Sequence, residues 1–389
     1  MFRLKKINLC DGFVGLWCLY YLQNILYPQG IINQSVQLLM ILQGLMPFCK
    51  CFAERQKPVL IKALLLLMIM YMVYGVLVIM FGDGIKWTSD TDYLKNSFNS
   101  LLPIFFFYEQ ARQGKLTEKR IQIYTLIMLL VSIVFFNYMG QLLNLENDKD
   151  ENTNNAGYLF TGLIPLVFFY YKKPVFQYLL LAIMMFYVMM GLKRGAIIIG
   201  SFAVAIFLLS GLRGKSNKRK FFSLLLSSVI VVGSMYYVEY LIANSPYFMR
   251  RIDDTLSGDS SGRDYIYNAV WNAVANEQNL FYILFGHGAN STILYAGNFA
   301  HQDWLETACN NGLVGVLILA FFFITFAVSV FRSHNYFQPQ YYYCFLTLLI
   351  ISFSKTLFSM SIQGLDIFQS LLIGYFTYWI STRKRGTLM

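Results

Sequence analysis

Charge is what this chain has least of. Asp, Glu, Lys and Arg make up 13% of its 389 residues, against about 25% in soluble domains. So little charge cannot cover a water-facing surface, which excludes a soluble globular fold. Histidine is also scarce, with three residues, and there are six cysteines. Cys49-x-Cys51 has no second pair and no histidine at zinc spacing, so no metal site is expected. No segment repeats with a period of about 20–50 residues, and no low-complexity tract occurs.

What is present is apolar. Hydrophobic residues reach 57% and aromatics 17%. Runs of about 20 apolar residues recur along the whole length, as in a helical membrane bundle and unlike a barrel. The expected fold is all-α: a polytopic transmembrane helical bundle of about twelve spans with one long extracytoplasmic loop carrying short helices. The runs lie near 11–28, 31–49, 59–81, 94–109, 121–143, 157–171, 174–191, 195–212, 221–242, 307–331, 340–360 and 364–381. The fourth is interrupted by Asn96, Asn99 and Pro103. Three regions follow: helices 1–9 over 1–242, the outer loop over 243–304, and helices 10–12 over 305–389. The basic start Met1-Phe-Arg-Leu-Lys-Lys, with no small-residue cleavage site after it, reads as an uncleaved first span.

The net charge of +11 could signal nucleic acid, but the basic residues sit in short loops between apolar runs. Alternate loops are basic, such as Lys50/Arg55/Lys57 and Arg112/Lys115/Lys119/Arg120. The positive-inside rule places these, and both termini, in the cytoplasm. The acidic stretch Glu146–Glu151 and the segment 243–304 then face outward. Nucleic acid is not an expected partner; membrane lipid is.

Candidate chemistry collects on that outer side. Lys193 and Arg194 stand in the turn Gly191-Leu-Lys-Arg-Gly195, against the charge bias. They either snorkel to head groups or form an anion site in a tight glycine turn. Segment 243–304 has no lysine; its cations are Arg250, Arg251 and Arg263. Arginine's planar fork suits phosphate, although Arg250 and Arg251 can equally pair with Asp253, Asp254 or Asp259. Ser261-Gly-Arg-Asp264 opens a helix over about 262–277. Its Ile266, Val270 and Val274 share one face, and Tyr265, Tyr267 and Trp271 suit an interface. An ordinary packed surface helix fits the same pattern.

Two further stretches stand out, Leu284-Phe-Gly-His-Gly-Ala-Asn-Ser291 and Ala300-His-Gln-Asp-Trp-Leu-Glu306. Asp303 reads as an N-cap with Glu306 reaching back. That leaves His301 unexplained, just ahead of the helix, where the dipole disfavours imidazolium and favours a neutral general base. His287, between two glycines, shapes a turn or touches substrate. Lys355 lies inside a span, where it needs a partner such as Asp366, a wet cavity, or a route to the surface.

The order Lys-Arg-Gly turn, Ser-Gly-Arg, Phe-Gly-His-Gly-Ala-Asn-Ser, His-Gln-Asp-Trp-Leu-Glu, Asn311-Gly312 resembles the bacterial O-antigen polymerase and O-antigen ligase family over about 191–320. Gln302 and Trp304 stand where the family usually has Asn and Phe. The resemblance implies a metal-independent membrane glycosyltransferase of the C superfamily, without cofactor. It would act on undecaprenyl-diphosphate-linked glycans at the outer face of the bacterial inner membrane, with a chain-length regulator as a further partner. Arg194, Arg263 and Lys193 would hold the diphosphate and His301 would act on the acceptor hydroxyl. His287, Asp303, Glu306, Arg250, Arg251 and Lys355 are further substrate contacts. Polymerase is the expected activity; ligase is the alternative, and a lipid-linked glycan flippase the second.

Overall fold

A computed structural model of the chain describes residues 8–26, 30–81, 90–146, 154–212, 263–335, 337–359 and 366–383, with scattered positions between 220 and 253. Among these residues the fold is helical throughout. The first half contains α1 (Leu9–Leu26), α2 (Ile31–Ala53), α3 (Val59–Phe81), α4 (Asp90–Arg112), α5 (Glu118–Glu146), α6 (Gly157–Leu163), a 3-10 helix (Ile164–Tyr170), α7 (Pro174–Met190) and α8 (Arg194–Leu212). Then come α9 (Arg263–Ala275), α10 (Leu280–Phe285), α11 (Ser291–Ala296), α12 (Asp303–Ser333), α13 (Pro339–Phe358) and α14 (Ile367–Arg383). Among the described residues five helices, α2, α3, α5, α8 and α12, are long and apolar enough to cross a membrane. The expected span at 221–242, the helix cap at Ser261, and Arg250 and Arg251 lie outside the continuously described residues.

The bundle is built around α4. The sequence expects an interrupted span there, yet the helix runs unbroken through Pro103. Tertiary packing supplies what local propensity withholds. Every residue from Leu101 to Ala111 is buried. α14, α2 and α3 pack on α4, and each brings a glycine to the contact. A methyl group at Gly374 would meet the Ile104 carbonyl oxygen at 2.6 Å, and one at Gly44 would meet Leu102 Cβ at 2.7 Å. Small residues at helix crossings let backbones approach where no water is available to drive association. The run 157–171 is equally buried, but only half of it is α-helix. The 3-10 half rises faster per residue, so the two pieces together reach about 25 Å.

The second organising feature is a break in α12. Gly312 has φ 64° and ψ −163° inside an otherwise helical run. At that point the chain between α10 and α11 crosses it. The His287 N–H donates to the Cys309 carbonyl at 2.8 Å and the Gly288 N–H to the Asn310 carbonyl at 3.0 Å. These carbonyls at the break accept the loop's donors, which pairs backbone groups of both segments. Tyr74 of α3 closes the crossing by donating its hydroxyl to the Phe285 carbonyl.

The crossing leaves no room for a side chain. A methyl group at Gly286 would lie 2.5 Å from the backbone of Asn310, Asn311 and Gly312, and φ there is 74°. Gly297 has a similar φ of 70° but open space around it. Gly286→Ala is therefore expected to cost well over about 1 kcal/mol, while Gly297→Ala carries only the backbone strain of about 1 kcal/mol. Thermal unfolding in detergent, read side by side for the two variants, checks this; equal shifts would contradict the steric account.

Candidate functional site

The segment ahead of α12 is shaped by one carboxylate. Glu306 is buried. Its Oε2 accepts from Thr292 Oγ1 at 2.7 Å and Asn310 Nδ2 at 3.4 Å, while Oε1 accepts from the Ala300 N–H. The His301 N–H also faces this carboxylate. Glu306 thus reaches back as the sequence suggests, but Asp303 is not the cap. The N-cap residue is Gln302, with φ −147° and ψ 114°, and its side chain makes no capping bond. Asp303 is the first helical residue and is buried. An extended Gln302 backbone decides the helix start, and a side-chain pattern alone does not encode that.

With its N–H directed at Glu306, His301 sits in the left-handed region, φ 53°, a conformation histidine tolerates better than most residues. The ring is half-buried. Burial, then the positive charges of Arg263 and Lys193, push its pKa below the usual histidine value. These two cations therefore lie close enough to act on the imidazole, and they reach it from separate elements. Arg263 opens α9, whose Ile266, Val270 and Val274 pack with Ala300, Leu305 and Cys309 as one apolar cluster. Tyr265 and Trp271 stay exposed on its other face. The predicted amphipathic helix is present, shorter by a few residues, with its apolar face turned onto α11 and α12.

Lys193 and Arg194 come from the turn between α7 and α8 and are half-buried. The turn is tight: Leu192 has φ 51°, and a methyl group at Gly191 would meet the Asn154 carbonyl oxygen at 3.0 Å. Asn154, which the sequence reading passes over, anchors it. Its N–H donates to the Gly191 carbonyl at 2.9 Å and its side-chain amide donates to the Phe136 carbonyl at 2.9 Å. The position of Asn154 after a charged loop carries no signal of this.

Lys355 finds the partner named for it. Its Nζ lies 3.3 Å from Asp366 Oδ2, with both side chains largely buried. It also stands 5.8 Å from the centre of the Tyr158 ring, and Tyr158 in turn lies within the field of Arg263. Snorkelling is not needed to explain Lys355. On the adjoining residue, Thr356 Oγ1 accepts from Trp304 Nε1 at 3.0 Å, which ties this helix to the motif that carries His301.

His287 has separate surroundings. Its Nδ1 is 3.0 Å from the Tyr295 hydroxyl and its Nε2 is 3.4 Å from Glu277 Oε2. Tyr282 stacks on it at 4.9 Å. Its ring is thus held on three sides, while its backbone N–H joins the loop to α12.

The arrangement, then, is a lysine from a turn and an arginine that opens a helix, both acting on a half-buried histidine whose pKa they and burial lower. Residues 179–320 match a family model described as O-Antigen ligase. Over that stretch the chain is similar to the O-antigen ligase and polymerase family. Lys193, Arg194, Arg263, His287, His301, Asp303 and Glu306 all fall inside it; Lys355 and Asp366 fall outside. No curated protein matches the chain.

The electrostatics predict a titration. An unfolded histidine protonates near pH 6.5, so in the folded protein the His301 midpoint lies below that. Removing one neighbouring cation in Arg263→Gln should move it back up, as read by NMR of a ring-labelled sample. Because the folded-state pKa is the lower one, His301 contributes no pH dependence to stability above about 6.5 and a growing penalty as the pH falls below it. A midpoint unmoved by Arg263→Gln would remove Arg263 from the causes and leave burial and Lys193.

Proposed function

We propose that this protein is a glycosyltransferase that joins undecaprenyl-diphosphate-linked oligosaccharide repeat units at the outer face of the bacterial cytoplasmic membrane. The reading rests on the half-buried His301 lying within the field of Arg263 and Lys193, whose charges, after burial, lower its pKa. A general base must be unprotonated to take a proton, and a diphosphate leaving group must be met by fixed positive charge. One cluster supplies both.

In the step itself the acceptor sugar hydroxyl attacks the anomeric carbon of the donor. The new bond is oxygen to carbon, and the carbon–oxygen bond to the diphosphate breaks. The leaving carrier diphosphate takes that electron pair, and its charge is balanced by Arg263, Lys193 and Arg194. The hydroxyl proton passes to His301. No metal or organic cofactor enters this balance. Asp303 and Glu306 hold the loop, and Lys355 is a more distant support through Tyr158 and Trp304. Arg250 and Arg251 belong to the same outer loop and stay as candidate diphosphate contacts. The carrier's isoprenoid tail lies in the bilayer, membrane lipid surrounds the bundle, and a chain-length regulator is the natural protein partner.

Two activities share this chemistry. Polymerase is favoured because each polysaccharide type needs an enzyme fitted to its own repeat unit. Ligase, which moves finished glycan to lipid A core, is the activity in the description of the matching family model, and that match does not separate the two. No observation favours a flippase, whose work would need no base beside the cations.

In a deletion strain, single repeat units accumulating on the carrier would establish the polymerase. Full-length polymer stranded on the carrier would establish the ligase. In either case His301→Ala should lower the transfer rate by about 10²–10⁴-fold, and Arg263→Ala by about 10²–10³-fold. Both are measured with purified protein in detergent micelles, where chain growth requires an enzyme and transport gives no product. A correctly inserted His301→Ala protein with full activity would remove His301 from the mechanism.

A further inference from the structure

A polar pocket of about 210 Å³ opens between α1, α2, α4 and the start of α14. Its walls are Trp17 and Tyr20 from α1, Gln37 from α2, Asn96 and Asn99 from α4, and Asp366 ahead of α14. None of these wall positions lies within residues 179–320, so the family match says nothing about them.

Three side-chain amides in the walls have no hydrogen-bond partner among the described residues: those of Gln37, Asn96 and Asn99. Gln37 and Asn99 are half-buried, and an amide partly withdrawn from water without a partner is costly, so these walls suit a polar occupant. Asn96 and Asn99 are also the residues that lower the hydropathy of α4, the helix on which the bundle is packed. Asn96 is exposed and Asn99 half-buried, so packing against neighbouring helices does not explain them.

The chemistry of the walls narrows the occupant. No lysine or arginine lines the pocket, and Asp366 presents a carboxylate, so a phosphate or diphosphate is disfavoured. An acyl chain would leave the amides unpaired. Three amides each offer both donors and an acceptor, the carboxylate accepts, and aromatic rings supply flat apolar faces. That set matches a ring bearing several hydroxyl groups on its edge and C–H bonds on its face. We propose that this pocket is a carbohydrate subsite, which holds an uncharged sugar of the glycan through Gln37, Asn96, Asn99 and Asp366.

The subsite rests on the glycosyltransferase reading for its role, and its position connects the two. Asp366 pairs with Lys355 at 3.3 Å, and the neighbouring Thr356 accepts from Trp304 at 3.0 Å. A sugar held against Asp366 is thus linked by two side-chain contacts to the motif that carries His301. The diphosphate cations and the sugar pocket divide the substrate between them, charge on one side and hydroxyls on the other. Residues outside the family match would then set which glycan is accepted.

The test uses the full chain in detergent and, as probe, the free oligosaccharide released by mild acid from the carrier-linked glycan of cells that make the protein. Saturation-transfer NMR should show binding to the wild type. Asn96→Ala/Asn99→Ala and, from the opposite wall, Gln37→Ala should each weaken it, the double variant by about tenfold, the loss expected for two neutral hydrogen bonds. His301→Ala should bind like the wild type. Absence of binding to the wild type, or equal binding by both wall variants when they unfold at the wild-type temperature, overturns the subsite. Transfer assayed in parallel separates the two ideas. Binding without transfer would count against the glycosyltransferase reading and leave the subsite standing. Transfer with unchanged acceptor KM in the wall variants would remove the subsite and leave the enzyme.

Discussion

The candidate site depends on two backbones being able to cross in contact. At Gly286 and Gly312 nothing larger than hydrogen fits, because each residue's missing side chain is replaced by the other segment's peptide group. The crossing holds the loop that bears His287 against the break in α12. The N-terminal piece of α12 can then depart from the line of the long apolar helix behind it. That short piece carries Asp303, Trp304 and Glu306, and Glu306 in turn fixes the backbone from Ala300 to His301. Position passes from the glycines to the helix break, from the break to Glu306, and from Glu306 to the histidine.

Electrostatics then acts on a geometry already fixed. Burial and cations on elements far apart in sequence lower the pKa of His301. Arg263 is the first residue of a helix, where the dipole already disfavours positive charge. It is retained there by an apolar face that anchors α9 to α11 and α12. Lys193 sits in a turn braced by Asn154. Structural residues with no chemistry of their own place each charge, and the charges act only because the supports are rigid.

Much of this was legible in the residues, and the reasons for the rest are physical. The helical class and the apolar face of α9 follow from periodicity, which packing then honours. Arg263, Lys193 and His301 stand out because cations and a histidine are conspicuous in a chain so poor in charge. The N-cap could not be read, since it turns on the backbone of Gln302. The break at Gly312 was hidden because a glycine after two asparagines looks like an ordinary helical interruption until another backbone is seen to press on it. The role of His287 needed the rings of Tyr282 and Tyr295, which lie near in sequence but show nothing of their facing geometry.

α4 shows most clearly why hydropathy reads membrane helices unevenly. A helix facing lipid must be apolar all round its exposed surface, so its signal is strong, as in α3. A helix surrounded by other helices is judged instead by its neighbours, and glycines on α2, α3 and α14 meet it closely. It is released from the requirement to be apolar wherever a cavity adjoins it. Asn96 and Asn99 occupy that released position, and the same freedom that weakens the sequence signal lets a central helix present polar groups to a ligand.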